Sequence, residues 1–145
     1  MVRIDKAIQV PCKLSSNFFH VWLTFFAPIH KITPGVMRIA AELLKYHYIL
    51  SKNILDNKIL NNYLFTSEDI RNKIVETCGI SLSNYHVSIN KLKQNNFITE
   101  EGINPKYIPP IREEDNKINV LFMFEILDLK DSERNLQESS TETKS

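Results

Sequence analysis

Apolar and polar residues alternate near both ends of the chain and follow a helical period between them. Period two in residues 1–10 indicates a strand with one buried face, interrupted by Lys6. Residues 118–127 carry apolar side chains on both faces, which is typical of a central or covered strand. The two predicted strands are candidates for pairing with each other. The apolar positions of the first are Val2, Ile4, Ile8 and Val10.

A helix is predicted over residues 17–27, with Ser15 or Ser16 as its N-cap. Its apolar side chains lie all around the helix, whereas a surface helix would show a polar stripe. The helix is therefore either buried in the core or presents a face to another chain. The candidate interface residues are Phe18, Trp22, Phe25 and Phe26.

Four further helices and a hairpin are predicted downstream. Thr33-Pro34 is a helix start, and this helix continues to about Lys52. Residues 55–64 form a short helix, and Thr66 caps the next one, over 67–78, which ends at Gly79. The same pattern continues after Gly79, where Ser81 caps a helix over 82–95.

The last predicted helix, 82–95, is followed by turn and strand signals. Its inward positions follow helical spacing: Leu82, Tyr85 or His86, Ile89 and Leu92. Phe97 to Glu100 reads as a short strand, Glu101-Gly102 as a turn and Ile103 as the returning strand. The fold class is thus α+β and mainly helical, with a strand at each end of the domain.

Composition divides the 145 residues into one domain, 1–127, and a polar tail, 128–145. The tail holds three cationic and five anionic residues and almost no apolar ones. Such a segment buries too little apolar surface to offset the entropy of ordering it. With a net charge of +1, the chain is unlike strongly basic nucleic-acid coat proteins.

The sequence offers no pattern that indicates an enzyme. It contains neither a glycine-rich phosphate-binding motif nor the Cys and His spacing of zinc sites. Cys78 and His86 are best interpreted as core residues, and two cysteines form no disulfide framework. We expect no catalytic residues, no cofactor and no metal. Targeting and membrane-spanning segments are not expected either, because the uncharged run Leu14–His30 is polar in part.

The order of helix 67–78, a tight turn, helix 82–95 and a hairpin resembles a winged helix-turn-helix. The resemblance covers residues 33–104. In that family the second helix enters the DNA major groove and the hairpin touches the backbone. The resemblance implies that one set of residues contacts DNA: Ser83, Asn84, Ser88, Lys91, Lys93 and Gln94. Two cations of a basic stripe with a spacing of seven residues, Arg38 and Lys45, would join this set.

The charges of this segment depart from the family pattern. The helix 82–95 carries only Lys91 and Lys93 as cations, and the hairpin carries Glu100 and Glu101. Affinity for DNA comes mainly from neutralising phosphates, which glutamates repel. Winged helices also serve as protein-contact modules, so the fold alone does not fix the function.

A second resemblance spans residues 8–127. The chain is similar to small proteins of crAss-like gut bacteriophages in IQVPCKLSSNFFHVWLTFFAPIHKITPGVMRIAAELLKYHYILSKNI and in INPKYIPP. In such phages, proteins of this size include subunits of the rings that join portal to tail, and small regulators. The resemblance implies a phage origin.

Two functions follow as expectations. In the first, the chain is a non-enzymatic virion protein, a ring or adaptor subunit of the head–tail connector. Its partners are then further copies of itself and portal or tail proteins, without a membrane. In the second, it is a winged-helix DNA-binding regulator acting through helix 82–95. The aromatic helix and the near-neutral charge favour the first.

Overall fold

The computed structural model describes residues 3, 5–112, 114 and 116–129. In this part of the chain, six α-helices precede one two-stranded antiparallel sheet and a 3-10 turn. The helices are α1 (Phe18–Phe25), α2 (Ala27–His30), α3 (Pro34–Ser51), α4 (Asn57–Thr66), α5 (Glu68–Cys78) and α6 (Leu82–Gln94). The strands are β1 (Ile98–Thr99) and β2 (Gly102–Ile103), and the 3-10 turn is Pro105–Tyr107. The fold is thus mainly helical with a small sheet, consistent with the expected α+β class.

The long helix α3 is the centre of the packing, and α1, α4, α5 and α6 all contact it. It begins at Pro34, whose missing N–H is not needed in a first helical turn. Thr33 is the N-cap residue, although its hydroxyl makes no capping hydrogen bond. The side chains of Ile39, Leu43 and Leu44 are at most 1% exposed. Apolar residues at helical spacing on α3 therefore supply a large part of the core.

Helices α5 and α6 have the predicted end signals. The hydroxyl of Ser81 accepts a hydrogen bond from the backbone N–H of Asn84 at 3.0 Å, which caps α6. Gly79 ends α5 in the left-handed region, with φ +63°. The cap of α5 is Ser67 and not Thr66, because Thr66 lies in the last turn of α4 and donates to the carbonyl of Asn62.

The predicted hairpin is present, and a side chain of α4 holds it in place. Ile98 pairs with Ile103, and Thr99 pairs with Gly102. The Asn61 side-chain oxygen accepts a hydrogen bond from the backbone N–H of Ile103 at 3.0 Å. Gly102 has φ +113°, and a Cβ there would overlap the Asn61 side chain. Glycine is needed at this position both for its backbone conformation and for the close approach.

The 3-10 turn connects the hairpin to α1. The indole N–H of Trp22 donates to the carbonyl oxygen of Tyr107 at 2.8 Å, and this bond is buried. The Tyr107 ring stacks on Phe97 and meets His30 edge-on. His30 itself lies within hydrogen-bond distance of the Leu23 carbonyl and accepts from the Ile32 N–H. These contacts join residues far apart in sequence around one aromatic cluster.

The two strands predicted at the ends of the domain are wrong for the described residues. Residues 5–10 and 116–126 contain no strand in the described structure. Residues Met1, Val2 and Ile4 of the first prediction lie outside the described residues, as do residues 130–145 of the predicted tail. Alternation indicates a preference for a strand, but a strand also requires a hydrogen-bonding neighbour.

The chain divides into two compact units, Met1–Pro109 and Pro110–Ser145. The first holds all six helices and the hairpin of the described residues. In the second, residues 116–126 are without regular secondary structure. The division falls between two adjacent prolines, which restrict the backbone to extended conformations.

Candidate interaction surfaces

The four aromatic residues predicted as an interface fall into two groups. Trp22 is only 8% exposed and is held by its bond to Tyr107, so in this chain it is a core residue and not part of an exposed face. Phe18 and Phe26 are half-buried, and their rings lie 6.2 Å and 4.7 Å from the Trp22 ring. Phe25 is 52% exposed. An accessible surface on α1 is therefore centred on Phe25 and excludes Trp22.

The inward face of α6 consists of Tyr85, Ser88 and Leu92. Ser88 is 3% exposed, so the prediction that it faces a DNA groove is wrong. The helix is rotated relative to the predicted inward face, because Leu82 is exposed while the small Ser88 turns toward the core. The remaining predicted contacts on this helix are all exposed: Ser83, Asn84, Lys91, Lys93 and Gln94.

The two predicted cations of α3 have partners within the fold. Arg38 donates from its guanidinium to the carbonyl of Thr77 at 3.2 Å, in the last turn of α5. A cation is favourable there because the carbonyl end of a helix is partly negative. Lys45 lies 3.8 Å from the carboxylate of Glu42. Arg38 and Lys45 are thus engaged with groups of the fold, which leaves less of their positive charge available to bind phosphates.

A shallow groove of about 1760 Å³ lies between α4, α6 and the hairpin. Its walls carry opposite charges that balance one another. Such a surface lacks the single-sign field that attracts a polyanion. The charged lining residues are Asp56, Lys58, Arg71, Lys93, Glu100 and Glu101.

The second unit exposes a dense group of apolar side chains. Phe124 is 91% exposed, and Met123 and Leu127 are each 76% exposed. Large apolar groups are normally gathered away from water, and a contiguous exposed group marks an interaction site. We call residues 118–127 the apolar segment; its exposed members are Val120, Leu121, Phe122, Met123, Phe124, Ile126 and Leu127.

Residues 5–10 form a second exposed stretch without regular secondary structure, which we call the N-terminal arm. Ile8 is 75% exposed and Val10 is 45% exposed. The charged residues of this region include Asp5, whose carboxylate lies 2.9 Å from the guanidinium of Arg3. Both side chains of this pair are largely in water, where an ion pair contributes little. The arm therefore has apolar residues available to a partner.

The Cys78 thiol is half-buried beside Glu42 and Arg38. Burial, with a smaller contribution from Glu42, raises the pKa of the Cys78 thiol, and Arg38 opposes this only in part. A raised pKa makes the thiolate scarce, so Cys78 is poorly suited to catalysis. Both cysteines, Cys12 and Cys78, are free.

Two further searches cover only the described residues. There, no three His, Cys, Asp or Glu side chains come together in a group that could hold a metal ion. None of the described helices combines the length and the apolar character needed to cross a membrane.

Comparisons with protein-family models, with curated proteins and with solved structures gave no match.

Sequence reasoning missed two features that shape these surfaces. The bond from Ile103 to Asn61 spans 42 positions, and no local pattern links the two residues. Gly102 in a predicted turn was the available signal, since glycine often marks a close backbone approach. The sequence also did not predict that the apolar segment is exposed, because apolar side chains on both faces are typical of a strand covered within its own chain.

Proposed function

We propose that this protein is a non-enzymatic structural subunit of a bacteriophage virion, a ring or adaptor protein of the head–tail connector. The observation that carries the proposal is the exposed apolar segment, 118–127. Covering a large apolar side chain contributes roughly 1.5–3 kcal/mol. Large apolar side chains as exposed as Met123, Phe124 and Leu127 are expected in a chain whose working form is an assembly.

The phage assignment is supported by the sequence resemblance over residues 8–127. The exposed Phe25 on α1 adds a second apolar surface in the first unit. Portal or tail proteins and further copies of the chain are the proposed partners, with the virion as the location. Interfaces of this kind are enriched in aromatic residues at their centres.

Mass spectrometry of purified particles of the encoding phage tests the proposal. The expected result is this protein at a fixed stoichiometry close to that of the portal protein. Its absence from particles, together with abundance in infected cells, would reject the virion role. An unrelated cytoplasmic phage protein followed in the same preparation controls for contamination.

The substitution Phe25→Asp tests the contribution of α1 to assembly. A charge at an exposed position should leave the isolated fold largely intact but prevent a dry contact with a partner. Circular dichroism reports the fold, and incorporation into particles reports assembly. An unfolded variant would show that Phe25 is needed in the core, and normal incorporation would show that α1 is not an interface. His20→Asp, at an exposed residue of the same helix, is the matched control.

The second candidate is a winged-helix DNA-binding regulator. It is supported by the order α5, turn, α6 and hairpin, and by the exposed Lys91, Lys93 and Gln94. The exposed Glu100 and Glu101 at the hairpin tip, which phosphates would repel, weigh against it. A salt titration of DNA binding with Lys91→Ala separates the two: a DNA-binding chain should lose affinity and about one unit of salt slope.

A further inference from the structure

We propose that the N-terminal arm of one copy of this chain pairs, antiparallel, with the apolar segment of a second copy. The inference rests on the proposed function, because it names the partner and the mode of assembly. It arises from two stretches that share strand-forming composition and exposure. Neither forms a strand within the described residues of a single chain.

The two stretches have complementary apolar patterns. The segment 118–127 is apolar on both faces, as a strand covered on two sides would be. The arm has one apolar side, carrying Ile8 and Val10, and a polar side with Asp5 and Gln9. An arm of this kind suits the edge of a sheet, where one face meets water.

The charges and the length of the arm together select one antiparallel register. The cations Arg3 and Lys6 are three positions apart, and so are the successive anions Glu125, Asp128 and Asp131. One register places Lys6 opposite Glu125 and Arg3 opposite Asp128. A second register places Lys6 opposite Asp128 and Arg3 opposite Asp131, but it carries the arm past the end of the apolar segment. Opposite charges facing each other across strands are stabilising, and like charges are destabilising.

The first register also brings apolar residues together. It places Ile8 opposite Met123 and Val10 opposite Leu121, all four of which are exposed in the single chain. A parallel arrangement can match the charges too, but it carries the arm past the end of the apolar segment. The antiparallel register therefore satisfies charge and apolar contact together.

A second copy is the partner that the chain itself supplies. Each copy offers one arm and one segment, so the contact is head-to-tail and can be repeated. Head-to-tail contacts close into rings when the rotation between copies permits it. Main-chain hydrogen bonds would provide affinity in this pairing, and the alternating side chains would provide specificity.

Disulfide trapping between two differently tagged chains tests the pairing. In a background of Cys12→Ser and Cys78→Ser, one chain carries Ile8→Cys and the other carries Met123→Cys. Mild oxidation of the mixture should give a mixed dimer on a non-reducing gel. The matched control replaces Met123→Cys with Leu127→Cys, which lies on the same side of the strand but four positions out of register, and should give far less. Equal trapping in both mixtures would overturn the register.

A single chain that carries both Ile8→Cys and Met123→Cys distinguishes pairing between two copies from pairing within one copy. Dimers and larger species are expected from this chain at the concentration at which the mixture was trapped. A compact, internally bridged monomer would overturn the assignment of a second copy as partner.

Charge exchange gives an independent readout. Glu125→Lys should weaken self-association about fivefold in sedimentation velocity, and adding Lys6→Glu should restore it. Glu114→Lys, at an exposed position outside the pairing, should change little. Failure of the second substitution to restore association would contradict the pairing of Lys6 with Glu125.

Particle mass spectrometry distinguishes this inference from the proposed function. Presence of the protein in particles without register-specific trapping would reject the strand exchange and leave the virion role. Absence from particles with specific trapping would reject the virion role, and self-association through the arm would stand.

Discussion

The long helix α3 and the apolar segment 118–127 carry the same kind of large apolar side chains and place them differently. In α3, Ile39, Leu43 and Leu44 are at most 1% exposed, whereas Phe124 in the segment is 91% exposed. A helix makes its backbone hydrogen bonds within itself, so it needs a partner only for its apolar face. A strand needs another strand as well. The comparison is the basis of our proposal that the helical region is completed within one chain, whereas the apolar segment is covered by another protein.

The largest expected difference between the two regions is in stability. Leu43→Ala in α3 should lower the free energy of unfolding by about 2–5 kcal/mol, because it leaves a cavity in a site with no exposure. Phe124→Ala in the apolar segment should change it by less than about 0.5 kcal/mol. Urea titration of both variants measures the two values. Equal losses of stability would mean that the segment belongs to the folded core of the single chain, which would contradict the difference drawn between the two regions.

The hairpin of the first unit should depend on the contact between Gly102 and Asn61. Gly102→Ala should lower the free energy of unfolding by about 2–4 kcal/mol, from backbone strain and from overlap with the Asn61 side chain. Gly79→Ala is the matched control, since Gly79 also has a positive φ but has open space around it. It should cost only about 1 kcal/mol. A similar cost at both glycines in thermal unfolding would show that the close contact contributes nothing.

The aromatic cluster should depend on one buried hydrogen bond. Trp22→Phe keeps most of the ring volume but removes the donor to the Tyr107 carbonyl. Leaving that acceptor unpaired should cost about 1–3 kcal/mol. Chemical denaturation measures the loss, and Phe18→Leu, at a half-buried neighbour without such a bond, serves for comparison. An unchanged stability of Trp22→Phe would contradict the role given to this bond.

The smallest expected effect is a pH dependence from His47. Burial lowers the pKa of His47, and its Nε2 atom is buried without a hydrogen-bond partner. The unfolded chain therefore takes up a proton at a higher pH than the folded chain does. Stability should fall as the pH drops below about 6.5, the ordinary value for His, and continue to fall until the folded-state pKa is passed.

The variant His47→Phe should flatten the acid side of the stability profile. The control is His86→Phe, at an exposed histidine on α6. Denaturation at several pH values between about 7.5 and 5.5 gives the slopes. An identical slope in the His47→Phe variant and the original chain would show that His47 does not carry the effect.

The sequence was sufficient where a signal is local. Ser81 and Gly79 mark helix ends through bonds to residues within a few positions, so the ends of α5 and α6 were predicted closely. The inward face of α6 was predicted less accurately. It depends on which side chain fits against the core, and the small Ser88 is buried there in place of the larger Ile89.

The rest depends on contacts that no local pattern records. The bond between Asn61 and Ile103 joins distant parts of the chain, and so does the bond from Trp22 to Tyr107. The bond to Tyr107 holds Trp22 in the core, although the sequence predicted this residue at an interface. The strands predicted at the ends of the domain are wrong for a related reason. Alternation indicates a preference for extended backbone, but a strand also needs a neighbouring strand to which it can hydrogen-bond.

Hydrogen exchange measured by mass spectrometry on the same chain, free at low concentration and then assembled in particles, tests the central claim most directly. The backbone amides of α3 should be protected in both states, because the fold of a single chain protects them. The amides of residues 118–127 should exchange rapidly in the free chain and slowly in the assembly. Rapid exchange of this segment in both states, or slow exchange in the dilute free chain, would contradict the claim that another protein covers it.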